Sequence, residues 1–522
     1  MQNTCYSKML EYVDKSSKVV HYDHSIPMRK ILADVEAFAG FLADNGIARG
    51  DVVTLYLPTC PQSVVAFYAC SKLGVVANIV HPLTPVEMLK QNLEQVGSKM
   101  LLFYDVLVQN ENVLPQNQIL VRCSIADYVT LRKPLYRAYS WATSKRTKAL
   151  CYHKATESTT KTQHTGCQTD VVCTMHSGGT SGKAKIVQLS NQAFNSVALS
   201  CIQWEKVQAK HGDLCLVTLP VFHAFGLCIG IHAPLLCGYG LALLPKFKAK
   251  SVVHYIKKYS IAMWGIVPIM AKKVLKHKGF DGKHLAKLKY VWCGGDFLEE
   301  SLVENFDHVL QKNHSSARVL RGYGLTECCS VCAVNSPEHY QKNSCGKAIP
   351  NCTLQIWDED GNVLPPNTIG EVAILSAGVM TGYIGTTSSL VDKNGTTWLL
   401  SGDYGYINEQ GFLFVVDRKK RSFKIAAVNV FPSEIENCVE SLPCVDQACA
   451  VPYRSNDKPF IKLYVTLNKG VDEQIACQQC IDICRQKLLP YSVPSKVEVI
   501  ATMPTTPLGK KDFRLLEKAN LK

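Results

Sequence analysis

The sequence predicts an α/β protein whose strands form parallel-rich sheets, followed by a smaller C-terminal segment that mixes short strands with helices. The first observation is size: 522 residues correspond to about three or four structural units. The second is composition, because 47% hydrophobic and 19% charged residues are typical of a folded globular chain. The third is a regular alternation of strand-like and helix-like patterns in the early part of the chain.

This alternation begins near residue 52. Short apolar, β-rich runs alternate with segments of helical apolar spacing, in the order strand 52–58, helix 61–74, strand 75–82, helix 86–97 and strand 100–105. Because each strand is followed by a helix-length crossover, the order predicts a parallel sheet.

The middle and the end of the chain are interpreted from their composition. Residues 154–170 are polar and rich in Ser and Thr, which predicts a surface loop. The α/β pattern is expected to continue to about residue 416. The basic run 417–421 then opens a segment of short strands and helices, as a separate small α+β domain would.

Charge and cysteine content narrow the function. A net charge of +14 favours anionic partners without choosing among nucleic acid, anionic lipid and polyanionic small molecules. No aromatic residues are regularly interleaved with the basic ones, so no nucleic-acid surface is predicted. The 23 cysteines follow no paired framework and the N-terminus lacks signal-peptide order, which predicts reduced thiols in a cytoplasmic protein.

Two features are interpreted as structural. Cys477, Cys480 and Cys484 have helical spacing and no second ligand pair nearby in sequence, so we expect core packing rather than a metal site. The apolar stretch from Leu227 to Leu244 contains His232 and Pro234, and we expect a buried strand and helix rather than a transmembrane segment.

The segment from Ser177 to Lys185, SGGTSGKAK, follows the apolar run 171–175 directly. Small residues let a backbone approach phosphate oxygens, hydroxyls donate hydrogen bonds and lysine adds positive charge. A Walker A loop is excluded, since Ser177 and Ala184 stand where that motif needs glycine and Ser or Thr. By itself the segment fits either a phosphate-binding loop or a flexible loop.

The other polar motifs are individually weak. In RGYGLTE, Tyr323 offers a flat face for a base, Thr326 a hydroxyl and Glu327 a hard oxygen ligand for Mg²⁺. Asp403 is a natural acceptor for ribose hydroxyls, and Lys510 follows a glycine near the C-terminus.

Together, and in this order, the motifs resemble those of the adenylate-forming superfamily of acyl-CoA synthetases, luciferases and nonribosomal-peptide adenylation domains. The motif style is closest to that of carboxylate–CoA ligases. The resemblance covers nearly the whole chain, through SGGTSGKAK (177–185), LPVFHAFG (219–226), CGGDFL (293–298), GYGLTE (322–327), GEVAILSAGVMTGY (370–383), SGDYGYINEQGFLFVVDRKKRSFK (401–424), VFPSEIE (430–436) and TPLGKKDFRLL (506–516).

The resemblance implies a domain organisation and a reaction. Residues 1–416 would form a large N-terminal domain of several subdomains that binds ATP and the acid, 417–420 a hinge, and 421–522 a mobile C-terminal lid. The enzyme would use ATP and Mg²⁺ to convert a carboxylic acid into an acyl-AMP. Thioester formation with coenzyme A would follow, with release of AMP and pyrophosphate.

The resemblance also implies roles for single residues. These are Ser177, Gly178, Gly179, Thr180, Ser181, Gly182 and Lys185 for the phosphates; Gly294, Gly295 and Tyr323 for adenine; Asp403 and Arg418 for ribose; Thr326 for the α-phosphate; Glu327 for Mg²⁺; His223 for the acid; Lys510 for the carboxylate and α-phosphate; and Lys424 and Ala427 among the cofactor-binding residues.

Several departures from the family pattern affect these expectations. Ala184 and Ile186 replace proline and glycine beside the phosphate loop. Arg321 stands where a neutral residue is usual, and fits either an anionic substrate group or a structural ion pair. Ala427 replaces a glycine beside the passage taken by the thiol. Lys511, next to Lys510, is expected to be solvated.

The acid is predicted from three segments. These are His223 to Gly226, Trp264 to Pro268, and residues 328–335, which are small and mostly apolar. With Trp264 as the bulky aromatic of its segment, they predict an apolar acyl group. A free amino acid is a poorer candidate, since VFHAFGL lacks the aspartate that binds an ammonium group in amino-acid-activating domains.

Two alternatives to the CoA ligase stay open. The chain could load the phosphopantetheine of an acyl carrier protein acting in trans. It could also be a non-catalytic nucleotide-binding protein that keeps the fold, although the joint presence of Thr326, Glu327, Asp403, Arg418 and Lys510 argues against that.

Overall fold

The computed structural model describes residues 3–108, 111–129, 149–177, 185–425, 428–455, 458–505 and 511–519. Its α-helices are Cys5–Tyr12, Met28–Asp44, Pro61–Leu73, Val86–Val96, Tyr152–Ala155, Asn191–Glu205, Ala233–Leu236, Ala249–Lys258, Pro268–Leu275, Glu300–Lys312, Pro432–Glu440, Glu473–Lys487 and Phe513–Ala519. A π-helix, Phe225–His232, precedes Ala233–Leu236, and short 3₁₀ turns include Thr326–Cys328.

The strands form three larger sheets and two small ones. The nine-stranded sheet has the order Lys347–Ala348, Ala333–Val334, Val319–Tyr323, Tyr290–Cys293, Ile261–Ile266, Leu214–Val217, Gly240–Leu243, Lys18–His21 and His24–Pro27. The eight-stranded sheet has the order Gly382–Ile384, Lys185–Ser190, Val171–Ser177, Val76–Ile79, Val52–Tyr56, Ser98–Tyr104, Ile119–Cys123 and Leu150–Cys151. A five-stranded sheet contains Cys352–Trp357, Gly370–Ser376, Thr396–Ile407, Leu390–Lys393 and Leu413–Arg418.

The small sheets lie near the C-terminus. Phe423–Ile425 pairs with Val428–Val430, and Val445–Ser455, Lys458–Leu467 and Lys496–Val499 form a three-stranded sheet. The apolar core around them includes Ile435, Leu463 and Cys480.

The predicted early alternation is confirmed. Val52–Tyr56 pairs in parallel with Val76–Ile79 and with Ser98–Tyr104. The helix between the first two strands, Pro61–Leu73, begins with proline and ends at Gly74, whose φ of +70° suits glycine. Every residue of this helix is buried, which explains why it has apolar side chains around its whole circumference.

The predicted continuation of the α/β pattern to about residue 416 is wrong in its last part. Between 329 and 431, the described residues contain strands and turns but no helix. Turn chemistry explains the difference. For example, Asn394 and Gly395, both with positive φ, join Leu390–Lys393 to Thr396–Ile407 in a two-residue hairpin loop.

The predicted fold class is confirmed: large, parallel-rich sheets are followed by a smaller α+β region. By compactness the chain divides into two units, Met1–Leu354 with Ile374–Leu399, and Gln355–Ala373 with Leu400–Lys522. The domain borders at 416 and 421, the hinge at 417–420 and the mobility of the lid stay predictions.

The interpretation of the apolar stretch is confirmed, and core packing is confirmed for Cys480 and Cys484, whereas Cys477 is only half-buried. All 23 cysteines are free, and Cys480 and Cys484 are buried in helix Glu473–Lys487. The described residues contain no cluster of His, Cys, Asp or Glu suited to a metal ion. Residues 227–244 form buried helix and strand, and none of the helices described is both long and apolar enough to cross a bilayer.

Candidate active site

The first part of the site lies where neighbouring parallel strands end. Ile261–Ile266, Tyr290–Cys293 and Val319–Tyr323 are adjacent and parallel, so Gly294 and Tyr323 lie at the same edge of the sheet. Carboxyl ends of parallel strands commonly form ligand crevices. A side chain on Gly294 would come within 3.0 Å of the Gly322 carbonyl oxygen, and Gly295 has a φ of +83°. The neighbouring strand therefore requires glycine at 294, and the backbone angle favours glycine at 295. Their role in binding adenine stays a prediction.

After Tyr323 the chain turns sharply. A Cβ atom on Gly324 would lie 1.9 Å from the Ser330 carbonyl oxygen, so only glycine fits there. The turn continues into the 3₁₀ segment Thr326–Cys328, and Cys329 and Ser330 both have positive φ. The segment contacts strands Val171–Ser177 and Lys185–Ser190. The fold thus brings Thr326 and Glu327 to the hairpin that flanks the predicted phosphate loop.

That hairpin is an antiparallel pair in which Ser177 lies opposite Lys185. Ser177 is buried at the end of its strand, and Lys185 begins the next. The predicted phosphate-binding residues between them, Gly178, Gly179, Thr180, Ser181 and Gly182, lie outside the described residues. The structure therefore places the two flanks of the loop, and the loop itself stays a prediction.

Tyr383 connects Glu327 with Lys185. Its strand, Gly382–Ile384, pairs with Lys185–Ser190, and the amide of Met380 donates to the Glu327 carbonyl oxygen at 2.8 Å. The Tyr383 hydroxyl donates to Glu327 Oε1 at 3.0 Å, and Lys185 Nζ lies 4.2 Å from the centre of the Tyr383 ring. Burial, and then the charge of Glu327, raise the pKa of Tyr383, so its hydroxyl stays protonated and donates.

Sequence analysis missed Tyr383 as a site residue. Tyr383 is the last residue of the motif GEVAILSAGVMTGY, and its place in that motif is the one feature of the sequence that could have indicated it. Its contacts depend on the pairing of two strands that are far apart in sequence, and no local pattern states that pairing.

Glu327 is suited to a hard cation. Tyr383 binds one carboxylate oxygen, and in the part of the chain described here Oε2 receives no hydrogen bond. Mg²⁺ is usually held by one or two carboxylates together with substrate phosphates, so a single glutamate beside a phosphate loop fits this ion.

The predicted ribose residues form a pair in the second unit. Asp403 and Arg418 are opposite each other in antiparallel strands, and Arg418 Nε lies 2.8 Å from Asp403 Oδ1. The Asp403 carboxylate is nearly buried, whereas the Arg418 side chain is 46% exposed. Nearby, Glu371 accepts from the Gly402 amide at 3.1 Å and pairs with Lys419 at 2.6 Å. The Glu371 carboxylate thus binds the backbone next to Asp403 and the side chain next to Arg418.

Arg321 is used by the protein itself. Its guanidinium lies 3.2 Å from Glu300 and donates to the Leu298 carbonyl oxygen at 2.6 Å, and both charged side chains are mostly buried. Of the two predicted alternatives, the structure supports the structural ion pair.

The acid-binding segments are placed differently from the prediction in one respect. Trp264 is fully buried, donates to Thr218 at 3.0 Å and packs in an apolar core with Phe280 and Phe306. Successive positions of a strand point to opposite faces of the sheet, so the face of Gly265 is the one opposite to that of Trp264. Trp264 as a wall of the acyl pocket is therefore wrong.

The aromatic beside the strand ends is Phe225. Its ring lies 3.5 Å from the position that a Cβ atom on Gly265 would take, and 3.8 Å from that on Gly294. His223, two residues earlier, is exposed, and its amide donates to the Pro220 carbonyl oxygen at 3.1 Å. Phe225 thus lies beside Gly265 and Gly294, and His223 lies two residues earlier, in the turn that precedes the π-helix.

Three predicted residues cannot be placed. Lys510 and Ala427 lie outside the described residues, as does the side chain of Lys424. Lys511, however, is described, and it is not solvated: its ammonium lies 2.5 Å from Glu440 and 2.6 Å from the Ala448 carbonyl oxygen. The expectation that Lys511 is a free surface lysine is wrong.

Known proteins resemble the chain over nearly its full length. The family model described as "AMP-binding enzyme" matches residues 12–384, and that of the AMP-binding enzyme C-terminal domain matches 434–510. Relatives include a long-chain-fatty-acid–CoA ligase of Bacillus subtilis, 25% identical over 99% of this chain and 94% of its own length. A 4-coumarate–CoA ligase of Pinus taeda is 25% identical over 98% of this chain and 94% of its own length.

Solved structures agree in fold. O-succinylbenzoate CoA synthetase (MenE) of Bacillus subtilis, in complex with the acyl-adenylate OSB-AMP, has a TM-score of 0.79 at 22% identity and covers 99% of this chain and 98% of its own. ATP-bound MatB of Rhodopseudomonas palustris has a TM-score of 0.81 at 18% identity, with 99% of both chains covered.

Proposed function

We propose that this chain, which belongs to the AMP-binding enzyme family, activates a carboxylic acid with ATP and then transfers the acyl group to the thiol of coenzyme A. The predicted superfamily is confirmed by the family match, and the predicted class, an acid–thiol ligase, by the relatives. Acyl-AMP would be the intermediate, and AMP and pyrophosphate the released products.

The observation that carries this proposal is the contact of Glu327, Tyr383 and Lys185 beside the hairpin that leads into the phosphate loop. It joins a hard carboxylate oxygen to a lysine at a segment rich in Gly, Ser and Thr. MatB of Rhodopseudomonas palustris has been solved with ATP, and MenE of Bacillus subtilis with ATP and a magnesium ion. These complexes support ATP and Mg²⁺ as the cofactors here.

The residues would divide the work as follows. Gly294, Gly295 and Tyr323 would hold adenine at the strand ends, and Asp403 and Arg418 the ribose. Lys185 and the loop before it would hold the phosphates, Thr326 the α-phosphate, and Glu327 the metal ion.

The first half-reaction brings together two anions, a carboxylate and a phosphate. Mg²⁺ held by Glu327 would supply positive charge beside the negative charge that grows on the leaving pyrophosphate. Lys510 would add a second positive charge between the carboxylate and the α-phosphate, where it stabilises the transition state. Positioning of both reactants would account for much of the remaining acceleration.

An apolar acid is the substrate that the crevice supports best. Phe225 lies against Gly265 and Gly294, and the segment after Glu327 is mostly apolar, with Cys328, Cys332 and Val334 buried. Arg321 is occupied by Glu300, so it supports no second anionic group on the substrate. Coenzyme A is favoured as acceptor by the CoA ligases among the relatives, with a carrier-bound phosphopantetheine as the alternative. The cytoplasmic location stays a prediction.

The test is acid-dependent exchange of labelled pyrophosphate into ATP over a panel of acids, followed by thioester formation. Lys510→Ala should lose about two to four orders of magnitude in exchange, as for other single electrostatic donors. Capture of pre-made acyl-AMP by coenzyme A should be much less affected. Lys469→Ala, at an exposed turn, is the matched control and should leave both steps unchanged.

The outcomes separate the alternatives. Exchange without use of coenzyme A, but with loading of a phosphopantetheinylated carrier protein, would identify a carrier-loading ligase. An absence of exchange with every acid, despite nucleotide binding, would identify the non-catalytic alternative. Equal loss in both half-reactions would contradict the role given to Lys510.

A further inference from the structure

We propose that Tyr383 is a positioning residue that orients the Mg²⁺-binding carboxylate of Glu327 and at the same time keeps Lys185 available to the nucleotide phosphates. This inference rests on the proposed function. It assigns a role to Tyr383, the last residue of the motif GEVAILSAGVMTGY, for which the sequence predicted none.

The hydroxyl acts on Glu327. At 3.0 Å it donates to Oε1, and Ser389 Oγ lies 3.3 Å from the same hydroxyl oxygen. A hydrogen bond to a charged carboxylate fixes the orientation of that group. With Oε1 bound in this way, Oε2 would be left to bind a metal ion. Loss of a group that orients a metal ligand commonly weakens metal binding ten- to a hundredfold.

The ring acts on Lys185. The ammonium lies 4.2 Å from the ring centre, a distance typical of a cation–π contact. A carboxylate in that place would neutralise the lysine and compete with a phosphate for it. An aromatic ring orients the ammonium without removing its net charge, so Lys185 keeps its attraction for an anionic ligand.

The two contacts place one tyrosine between opposite charges. Tyr383 bonds Glu327 through its hydroxyl and meets Lys185 through its ring, and no Lys185–Glu327 ion pair forms among the described side chains. Both charges belong to groups that the nucleotide and its metal ion need. The tyrosine holds the two groups close together without letting them satisfy each other.

The strands that carry these residues are well suited to hold the arrangement. Tyr383 pairs with Val187 in the eight-stranded sheet, and the Met380 amide is bonded to the Glu327 carbonyl oxygen at 2.8 Å. The geometry is therefore built into backbone pairing and does not depend on a bound ligand.

Two substitutions separate the two roles. Tyr383→Phe removes the hydroxyl and keeps the ring, whereas Tyr383→Leu removes both. Tyr239→Phe is the matched control, since Tyr239 is buried and its hydroxyl donates to the Gln208 carbonyl oxygen at 3.0 Å, away from the site residues in sequence and motif.

The readout is binding rather than turnover. Mn²⁺ replaces Mg²⁺ as a paramagnetic probe, and its affinity is measured by electron paramagnetic resonance on the enzyme with α,β-methylene-ATP, which cannot release pyrophosphate. Affinity for the nucleotide without metal is measured by calorimetry. Thermal unfolding of each variant shows whether a change reflects lost structure.

We expect Tyr383→Phe to weaken Mn²⁺ binding about tenfold and to leave metal-free nucleotide affinity unchanged. Tyr383→Leu should also weaken metal-free nucleotide binding by about fivefold, the equivalent of one cation–π contact. Tyr239→Phe should change neither affinity, even where it lowers thermal stability as much as Tyr383→Phe does.

Unchanged Mn²⁺ affinity in Tyr383→Phe would overturn the inference, as would an equal loss in Tyr239→Phe. Failure of the wild-type protein to bind the nucleotide analogue at all would instead overturn the proposed function. The two failures are thus distinguishable in the same set of titrations.

Discussion

Arg321 directly precedes the GYGLTE segment, and protein groups rather than a ligand hold its guanidinium. The contact with Glu300 is mostly buried, and Glu300 also accepts from the Asn343 amide at 3.3 Å. A charge that is removed from water and paired is expensive to leave alone. The residue therefore matters for the stability of the strand end that carries Tyr323.

We expect Arg321→Met to lower the free energy of unfolding by about 2–3 kcal/mol, because Glu300 would be left buried without its partner. Urea denaturation measures this loss, and the KM for the acid should stay the same. The double variant Arg321→Met with Glu300→Met is the control, and should recover part of the stability. A large rise in KM at unchanged stability would show instead that Arg321 binds a polar group of the acid.

The C-terminal elements are joined by a cluster of charges. Glu436 and Glu440 lie on helix Pro432–Glu440, and both are near the ammonium of Lys511, at 3.7 Å and 2.5 Å. Glu436 also pairs with Arg421 and accepts from the Ala450 amide at 2.8 Å. One helix thereby fixes the segment after the predicted hinge and the residue next to Lys510.

The charge state of the cluster follows from these contacts. Burial alone would lower the pKa of Lys511, but the negative charges of Glu436 and Glu440 raise it overall. Lys511 therefore stays protonated and paired throughout the neutral range.

We expect Lys511→Met to lower the free energy of unfolding by about 2 kcal/mol, since it leaves two acidic groups without their shared partner. Calorimetric unfolding measures the effect, and Lys469→Met, at an exposed turn, should cost almost nothing. A Lys511→Met protein as stable as the wild type would show that the cluster contributes little. Pyrophosphate exchange in the same variant shows whether the anchoring of this segment also affects Lys510.

At the scale of the whole molecule, the residues proposed for the reaction are divided between the two compact units of the chain. The first unit contains Glu327, Tyr383 and Lys185, whereas Asp403, Arg418 and the segment before Lys511 belong to the second. Each unit has its own apolar core. We expect the two half-reactions, formation of acyl-AMP and transfer of the acyl group to the thiol, to use different residues of the second unit.

Ala427 tests that division. If its methyl group narrows the passage for the pantetheine arm, Ala427→Gly should leave pyrophosphate exchange nearly unchanged and speed the capture of acyl-AMP by coenzyme A. A gain of about tenfold corresponds to ~1.4 kcal/mol of relieved crowding. Single-turnover measurement of thioester formation tests this. If both half-reactions stay level or fall slightly, the passage has room elsewhere and the glycine only adds backbone freedom.

Much of the fold was accessible from local sequence. The strand predicted over 52–58 is observed at Val52–Tyr56, and the helix predicted over 61–74 at Pro61–Leu73, because apolar spacing, an N-terminal proline and a terminal glycine are local signals. The strands between 329 and 431 were mistaken for a continued α/β pattern because their hairpins depend on turn residues such as Asn394 and Gly395.

The sequence by itself indicated the family and most of the candidate site residues, because Tyr323, Thr326 and Glu327 lie in one short motif whose order with the other motifs is informative. The tertiary structure decided which way the side chains face and what they touch. Trp264 packs into the core, because successive side chains of its strand point to opposite faces. Lys511 is paired because Glu440, 71 residues earlier in sequence, reaches it, and Tyr383 meets Lys185 because two distant strands pair. Such contacts arise from long-range packing, which no local pattern of residues encodes.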